Sequence, residues 1–425
     1  MMLLLLCLTL VFSIIPIYHV TADQIPIMIH HDTISSTITT TPWKPKPASP
    51  TTETSLLHPF TAQWIQLMEQ FYNALGGHDH ATYKQDQCPI QLPEFKCETF
   101  YWDDGRHESR DAQHLRPHDI KSVIALGDSI SAGFGMLSER PPFAAVWEYR
   151  GKAFSSGMDL EEYTIPNFLR PYTISEGGPE GVTFPMSRGK DLNNAVSGAK
   201  FQDLDSEVSR LIHLLNSNYH YRHIKDDWKL ITLFIGANNI CVLCHPPFTG
   251  LPLLTHADTF EENMRQVLTR LKHEVPKSFV NVVGLFNVSS VYDAIQGDSY
   301  CEFIWGTAHM SICSCVQGDD AQRQAADELV VEYNARLKKL ANDPSLSSHD
   351  FQVAYQPGFR HFPFSKYQRG YLSGFDCFHP NKCAHEVMSL VLWNNMFSSE
   401  EEKDIPYDLK ALEIKCPGPD RPYLQ

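Results

Sequence analysis

Residues 121–131 read KSVIALGDSIS: a run of buried-strand character that ends in a glycine, an aspartate and a serine. Downstream, residues 374–381 read GFDCFHPN, with Asp376 and His379 three apart. A serine at a strand end and a later Asp/His pair within one turn are the parts of an acyl-transfer apparatus. In it a base takes the serine proton and a carboxylate holds the base. Ser129 is therefore the candidate nucleophile, His379 the candidate base and Asp376 its orienting carboxylate. Asp128 reads as a helix cap that organises the loop, the ordinary task of an aspartate after a strand. Taken singly, each residue has a plainer reading. Ser129 suits a cap, and His379 is one of 20 histidines.

Working outward, short β-rich runs alternate with amphipathic stretches. The expected strands are KSVIALG from 121, LNNAV from 192, KLITLFIG from 229, FVNVVGLF from 279 and FQVAY from 351. Helical spacing marks residues 203–216, 259–275, 321–340 and about 383–395. Repeated strand–helix–strand order with apolar strands predicts a parallel, roughly five-stranded sheet covered on both faces, a three-layer α/β/α domain over residues 115–400. In such sheets ligands bind at the carboxyl ends of the strands. GDSIS, NNAVSGAK and GANNIC fall at those ends, and FDCFHPN precedes the last helix.

On these four blocks the chain resembles the GDSL-type, or SGNH, hydrolases, whose blocks contribute Ser, Gly, Asn and His in that order. Longer stretches narrow the likeness to the phospholipase B type. They are ALGDSISAGFG at 125–135, WEYRGKAFSSG at 147–157, LNNAVSGAK at 192–200, FIGANNICVLC at 234–244, DCFHPN with the later LWNNM, and CPGPDRPYL at 416–424. The resemblance implies a flavodoxin-like α/β/α fold. It also implies a carboxylic ester hydrolase acting on glycerophospholipids, with phospholipase A and lysophospholipase activities in one site. It assigns the oxyanion hole to the backbone N–H groups of Ser129 and Gly198 and the side-chain amide of Asn238. Large relatives carry tandem repeats and a membrane anchor, whereas one repeat and no such anchor are expected here. The third block usually reads G-x-N-D. Asn239 stands in the aspartate position and bears on the level of activity more than on reaction class. Two other readings stay open: an SGNH esterase of another substrate, and a catalytically silent binding protein of the same fold.

Composition bounds the partners. The chain has 425 residues, 43% hydrophobic and 20% charged, with a formal charge of -15. That balance argues against nucleic acid, which is bound by dense Lys and Arg that release counterions. It argues equally against attraction to anionic membranes, so a lipid interface would be zwitterionic or met through apolar contacts. The substrate partner is a phospholipid or other acyl ester at a micelle or membrane interface, and no obligate protein partner is evident. No metal cofactor is implied, because the histidines are scattered and a serine triad needs none.

Residues 1–22 begin with an apolar run and end at a small-residue site, which predicts a cleavable signal and a secreted, extracellular protein. An uncleaved anchor is the competing reading. Pro16 and a run shorter than the ~20 residues that span a bilayer favour cleavage. Residues 23–56 form a Thr/Ser/Pro-rich leader, and 57–114 a helical, disulfide-braced extension whose helix runs from Phe60 to Leu75. Residues 401–425 are a C-terminal tail. Of 11 cysteines, Cys7 lies in the signal and ten remain, an even set for pairing in an oxidising compartment. Cys241 and Cys244 are expected to pair with each other as a local structural disulfide. Asn287 opens an N-x-S sequon and is a glycosylation candidate. Residues 139–190 are expected to wall the acyl pocket. Residues 300–318 read either as a tethered lid or as a buried, disulfide-braced loop.

Overall fold

The computed structural model describes residues 88–99, 110–140, 146–187, 189–245, 255–306, 313–362, 364 and 370–425. The expected signal, the leader and the Phe60–Leu75 helix lie outside the described residues. The elements that carry the site are β1 (Ile120–Gly127), α1 (Ser129–Ala132), α2 (Leu204–Ser217), β2 (Trp228–Phe234), α3 (Ala237–Val242), α4 (Ala257–Glu274), β3 (Ser278–Val283), α5 (Ser299–Gly306), α6 (Asp320–Ala341), β4 (Phe351–Gln356) and α7 (Lys382–Asn395).

The four strands are all parallel, in the order β1-β2-β3-β4. β2 and β3 are buried at every position, which is why neither shows the regular apolar–polar alternation of a half-exposed strand. Helices cover both faces. On one, Phe260 of α4 stacks on Tyr333 of α6 with centroids 4.1 Å apart, and Phe201 meets both edge-on. On the other, Phe234 reaches Phe154 and Phe359, Phe154 lies against His385 of α7, and Asn281 donates to Met396 Sδ at 3.3 Å.

The helices arise where periodicity placed them. In α2 the buried positions Leu204, Val208, Leu211 and Leu215 make one apolar stripe. α6 opens with a capping box: Asp319 accepts from the Gln322 N–H at 2.9 Å, and Gln322 accepts from the Asp319 N–H at 3.0 Å. α7 is capped by Asn381, the last residue of GFDCFHPN, which accepts from the Ala384 N–H at 3.1 Å.

The LNNAV segment does not form a regular fifth strand. It runs along the free edge of β1 through a single parallel bridge, Ala125 to Asn193. Asn194 N donates to Ala125 O at 2.8 Å and Val196 N to Gly127 O at 3.0 Å. Residues around Glu176 fill the same edge farther back, pairing with Lys121 and Val123. The edge position is thus occupied but broken. Asn193 and Asn194 turn their side chains onto nearby backbone, Asn194 Nδ2 donating to Leu192 O at 3.1 Å, which competes with a regular ladder.

Cys241 and Cys244 are not paired with each other. Cys241 is bonded to Cys313 and Cys244 to Cys315. α3 and the residues just after it present the two sulfurs toward the same neighbouring segment, where two cysteines flank Ser314. The other bridges are Cys88–Cys383, Cys97–Cys416 and Cys301–Cys377. The first two tie residues 88–99 to α7 and to the tail.

Candidate active site

The motif turn after β1 is built around Gly127. Its φ is 142°, and a Cβ there would lie 2.0 Å from Phe234 O on β2, so only glycine lets the strands close at this point. The Gly127 N–H is taken by Glu207 Oε2 of α2 at 2.8 Å. Asp128 caps α1, accepting from the Ile130 N–H at 3.0 Å, and Ser129 is the first residue of that helix. The cap reading therefore belongs to Asp128, and the Ser129 hydroxyl is left for the site.

Ser129 Oγ lies 2.8 Å from His379 Nε2, and His379 Nδ1 lies 2.5 Å from Asp376 Oδ2. The three residues, 250 positions apart at the extremes, are brought together with the imidazole between hydroxyl and carboxylate. Asp376 is 3% exposed and Ser129 7%. Burial pushes the Asp376 carboxyl up, but His379 beside it and the N–H groups of Phe378 and His379, each 3.0 Å from Oδ1, hold it below its ordinary value. The carboxylate is thus kept ionised where it faces the ring. Asp128 has no such support on its second oxygen, and burial pushes its carboxyl up to about 7.

Gly198 and Asn238 lie in the same region of the sheet. Gly127 and Phe234 are register partners at the ends of β1 and β2, and the Val196 bond to Gly127 carries the 196–199 turn alongside them. Gly198 has a φ of 85° and is exposed; a Cβ there would meet nothing, so the glycine answers to conformation rather than space. Asn238 Nδ2 donates to Ala199 O at 2.9 Å. An amide has two N–H donors, and the second remains for a ligand. Asn239 is fully buried, accepting from Phe201 N at 3.0 Å and donating to Gln202 Oε1 at 3.0 Å. The departure from the G-x-N-D pattern therefore braces the two residues that follow the second block through both ends of an amide.

Several supports carry no signal in the motif blocks. Glu148 and Arg150, in the WEYRGKAFSSG run, form a fully buried ion pair at 2.7 Å. Arg150 donates to Asn193 O at 3.0 Å and Ala195 O at 2.8 Å, while Glu148 Oε1 accepts from Ser197 Oγ at 2.6 Å. Asn193 in turn donates to Ser131 O at 2.9 Å, so one network ties the Ser129 helix to the Gly198 turn.

The Asp376–His379 loop is clamped by α5. Trp305 Nε1 donates to Asp376 O at 2.8 Å, Tyr300 Oη to Phe375 O at 2.6 Å, and Cys301 is bonded to Cys377. Of the two readings of residues 300–318, the described part is the buried, braced one. Residues 307–312 lie outside the description. Asn287 is exposed, and Ser289 of its sequon donates to Asp327. Among the described residues, no group of three or more His, Cys, Asp or Glu could hold a metal ion. No described helix is long and apolar enough to cross a membrane.

Over 335 residues the chain is 30% identical to human (Homo sapiens) "Phospholipase B1, membrane-associated", covering 76% of this chain and 22% of that protein. The Rattus norvegicus protein of the same name is 30% identical over 325 residues, 73% of this chain and 21% of its own. The chain thus spans about a fifth of the length of the curated relatives it matches. Among solved structures, an acetyl xylan esterase from Geobacillus stearothermophilus aligns with TM-score 0.33 and 12% identity, over 65% of this chain and 96% of that one. The lipase Lip_vut3 from a goat rumen metagenome aligns with TM-score 0.34 and 16% identity, over 63% and 94%. Residues 123–392 match the family model described as GDSL-like Lipase/Acylhydrolase, which is more than half of the chain and spans every block of the site. The chain belongs to the GDSL-like lipase/acylhydrolase family and is a carboxylic ester hydrolase, similar in sequence to phospholipase B1 over the stretch the two share.

Proposed function

We propose that this protein is a secreted phospholipase B that removes both acyl chains of a glycerophospholipid through an acyl-enzyme on Ser129. The observation that carries the reading is the continuous line Ser129 Oγ, His379 Nε2, His379 Nδ1, Asp376 Oδ2, with contacts of 2.8 and 2.5 Å. His379 takes the hydroxyl proton as Oγ attacks the ester carbonyl, and Asp376 stabilises the imidazolium that forms. The negative charge on the carbonyl oxygen is met by the N–H groups of Ser129 and Gly198 and the free amide proton of Asn238. His379 then protonates the leaving glycerol oxygen, the C–O bond breaks, and the acyl group stays on Ser129. Water, deprotonated by the same imidazole, attacks that ester, and the fatty acid leaves as Ser129 regains its proton.

The phospholipid substrate is supported by the names of the relatives, and the secreted location by the five disulfides that join all ten cysteines among the described residues. Asn287, exposed, is the proposed glycan site.

The test is hydrolysis of phosphatidylcholine micelles carrying distinguishable acyl chains, with calcium chelated, by the protein and by Ser129→Ala. Release of both chains by the first and neither by the second is expected. Cleavage of a soluble ester without phospholipid cleavage would move the assignment to another ester. Silence on both would leave a binding role for the same fold.

A further inference from the structure

Residues 182–184 (VTF) run alongside Glu148 with their sidedness reversed, and residues 184–187 close a turn in which Ser187 N donates to Phe184 O at 3.0 Å. In a strand, alternate side chains point to opposite faces, and in a soluble protein the apolar set normally turns inward. Here Val182, Phe184 and Met186 are 50%, 69% and 69% exposed. The polar Thr183 between them turns in, its hydroxyl 3.0 Å from Arg150 Nε and 3.2 Å from Glu148 Oε2. Trp147 adds a fourth exposed apolar side chain, its ring edge-on to Phe184 at 6.1 Å. Met186 is held outward at a φ of 61°, a conformation that a side chain of its kind rarely takes, and its N–H is fixed by Glu148 Oε1 at 2.9 Å. A contiguous exposed apolar patch of this sort marks a surface that meets something apolar.

The patch is joined to the site by direct contacts. Glu148 pairs with Thr183 on one side and with Phe134 on the other. Phe134 N donates to Ser129 O at 2.9 Å, and the Phe134 ring lies 4.8 Å from that of His379. Gly135 N donates to Trp147 O at 2.9 Å, Ser373 Oγ to Gly135 O at 2.8 Å, and Ser373 N to His379 O at 2.7 Å. The Glu148 oxygen that holds Met186 N also accepts from Ser197, the neighbour of Gly198. The reversed segment is thus continuous with the rim of the site.

Charge selects the occupant. No residue from 181 to 187 is ionisable, and the chain as a whole carries -15. An anionic surface would be repelled and a charged protein groove would find no counterpart. A zwitterionic lipid surface presents no net charge and accepts aromatic and apolar side chains at its interface.

We infer that Trp147, Val182, Phe184 and Met186 form the surface by which this protein settles on zwitterionic phospholipid aggregates, with the mouth of the site facing the lipid. The inference rests on the phospholipase reading for its substrate, while binding to lipid can be measured without turnover.

The experiment is co-sedimentation of the full chain with phosphatidylcholine vesicles in a Ser129→Ala background, with and without Val182→Thr, Phe184→Ser and Met186→Asn together. Asparagine tolerates the backbone at 186. Loss of these apolar contacts is expected to weaken vesicle binding about ten-fold or more. With Ser129 restored, the triple variant should lose micellar phosphatidylcholine turnover by a similar factor and keep hydrolysis of a water-soluble short-chain ester within about two-fold, because no interfacial binding step is involved there. Equal vesicle binding by both proteins overturns the surface, as does equal loss on the soluble ester. A dimer in light scattering that the triple variant dissolves would assign the patch to self-association instead. Patch-dependent binding with no phospholipid cleavage by either protein would support the surface and overturn the phospholipase reading.

Discussion

Asn238 gives one amide proton to Ala199 O at 2.9 Å, and the proposed mechanism assigns the other to the substrate oxyanion. Asn238→Ala should lower kcat by about 10²–10³ with KM little changed, since an oxyanion donor acts in the transition state. Steady-state kinetics on a soluble ester measure this, and near-normal kcat would remove Asn238 from the mechanism. Asp128 makes the opposite use of burial. Its carboxyl is pushed up to about 7 from an ordinary 3.8 by desolvation, which outweighs the Ile130 N–H and the nearby His379. The folded state therefore holds a proton that the unfolded state has released between about pH 4 and 7, and Asp128 makes stability fall as pH rises through that window. Asp128→Asn should remove this loss, so its Tm relative to wild type rises from pH 4.5 to pH 8. Parallel Tm profiles would show that Asp128 ionises without cost. Ser129, Asp376 and His379 were legible as candidates because a serine after a strand and an Asp/His pair within one turn are residue types the chemistry calls for, and Gly198 and Asn238 through the resemblance of the blocks that hold them. Glu207 and Arg150 were not, because what they do depends on partners such as Gly127 and Asn193, 80 and 43 positions away.

At the level of elements, the candidate carboxylate and base sit on a loop rather than on a strand or helix, and α5 supplies its rigidity. Cys377 takes a φ of 56°, a left-handed conformation for a non-glycine residue, between Asp376 and His379. The bond to Cys301 and the Trp305 and Tyr300 contacts over-determine that turn. Replacing the pair by Cys301→Ala and Cys377→Asn, which tolerates the same backbone, should lower Tm, with a stability loss of about 2–4 kcal/mol. It should also reduce kcat about ten-fold through misplacement of the imidazole. Thermal denaturation and kinetics at a temperature where the variant is folded separate the two, and unchanged kcat would make the bridge purely structural. Elements long enough to show a period, α2, α4 and α6, were readable in the sequence. The LNNAV edge was misread as a strand because two asparagine side chains compete for the backbone there. The Cys241/Cys244 pair was misread because spacing along a chain cannot reveal a second pair of cysteines 71 and 72 positions on.

Across the molecule, the Cys88–Cys383 and Cys97–Cys416 bridges join residues 295 and 319 positions apart, and each encloses all four strands of the sheet. Cys97→Ser with Cys416→Ser should cost up to about 5 kcal/mol by the loop-entropy argument, read as a lower denaturation midpoint in urea. Soluble-ester turnover should stay unchanged, since neither cysteine touches the site; a fall in turnover would show that the extension positions α7 and its loop. The sequence by itself determined the parallel α/β/α architecture and the order of the four blocks, and it named Ser129, Asp376 and His379 as the candidate triad. Each of these rests on local pattern: apolar runs, helical period, and reactive residue types at strand ends. Only the tertiary structure decided which cysteines meet, that the Glu148–Arg150 pair is buried behind Gly198, and that Val182, Phe184 and Met186 face outward. Those facts depend on which surfaces pack against each other over separations of tens to hundreds of residues, and local sequence carries no measure of that.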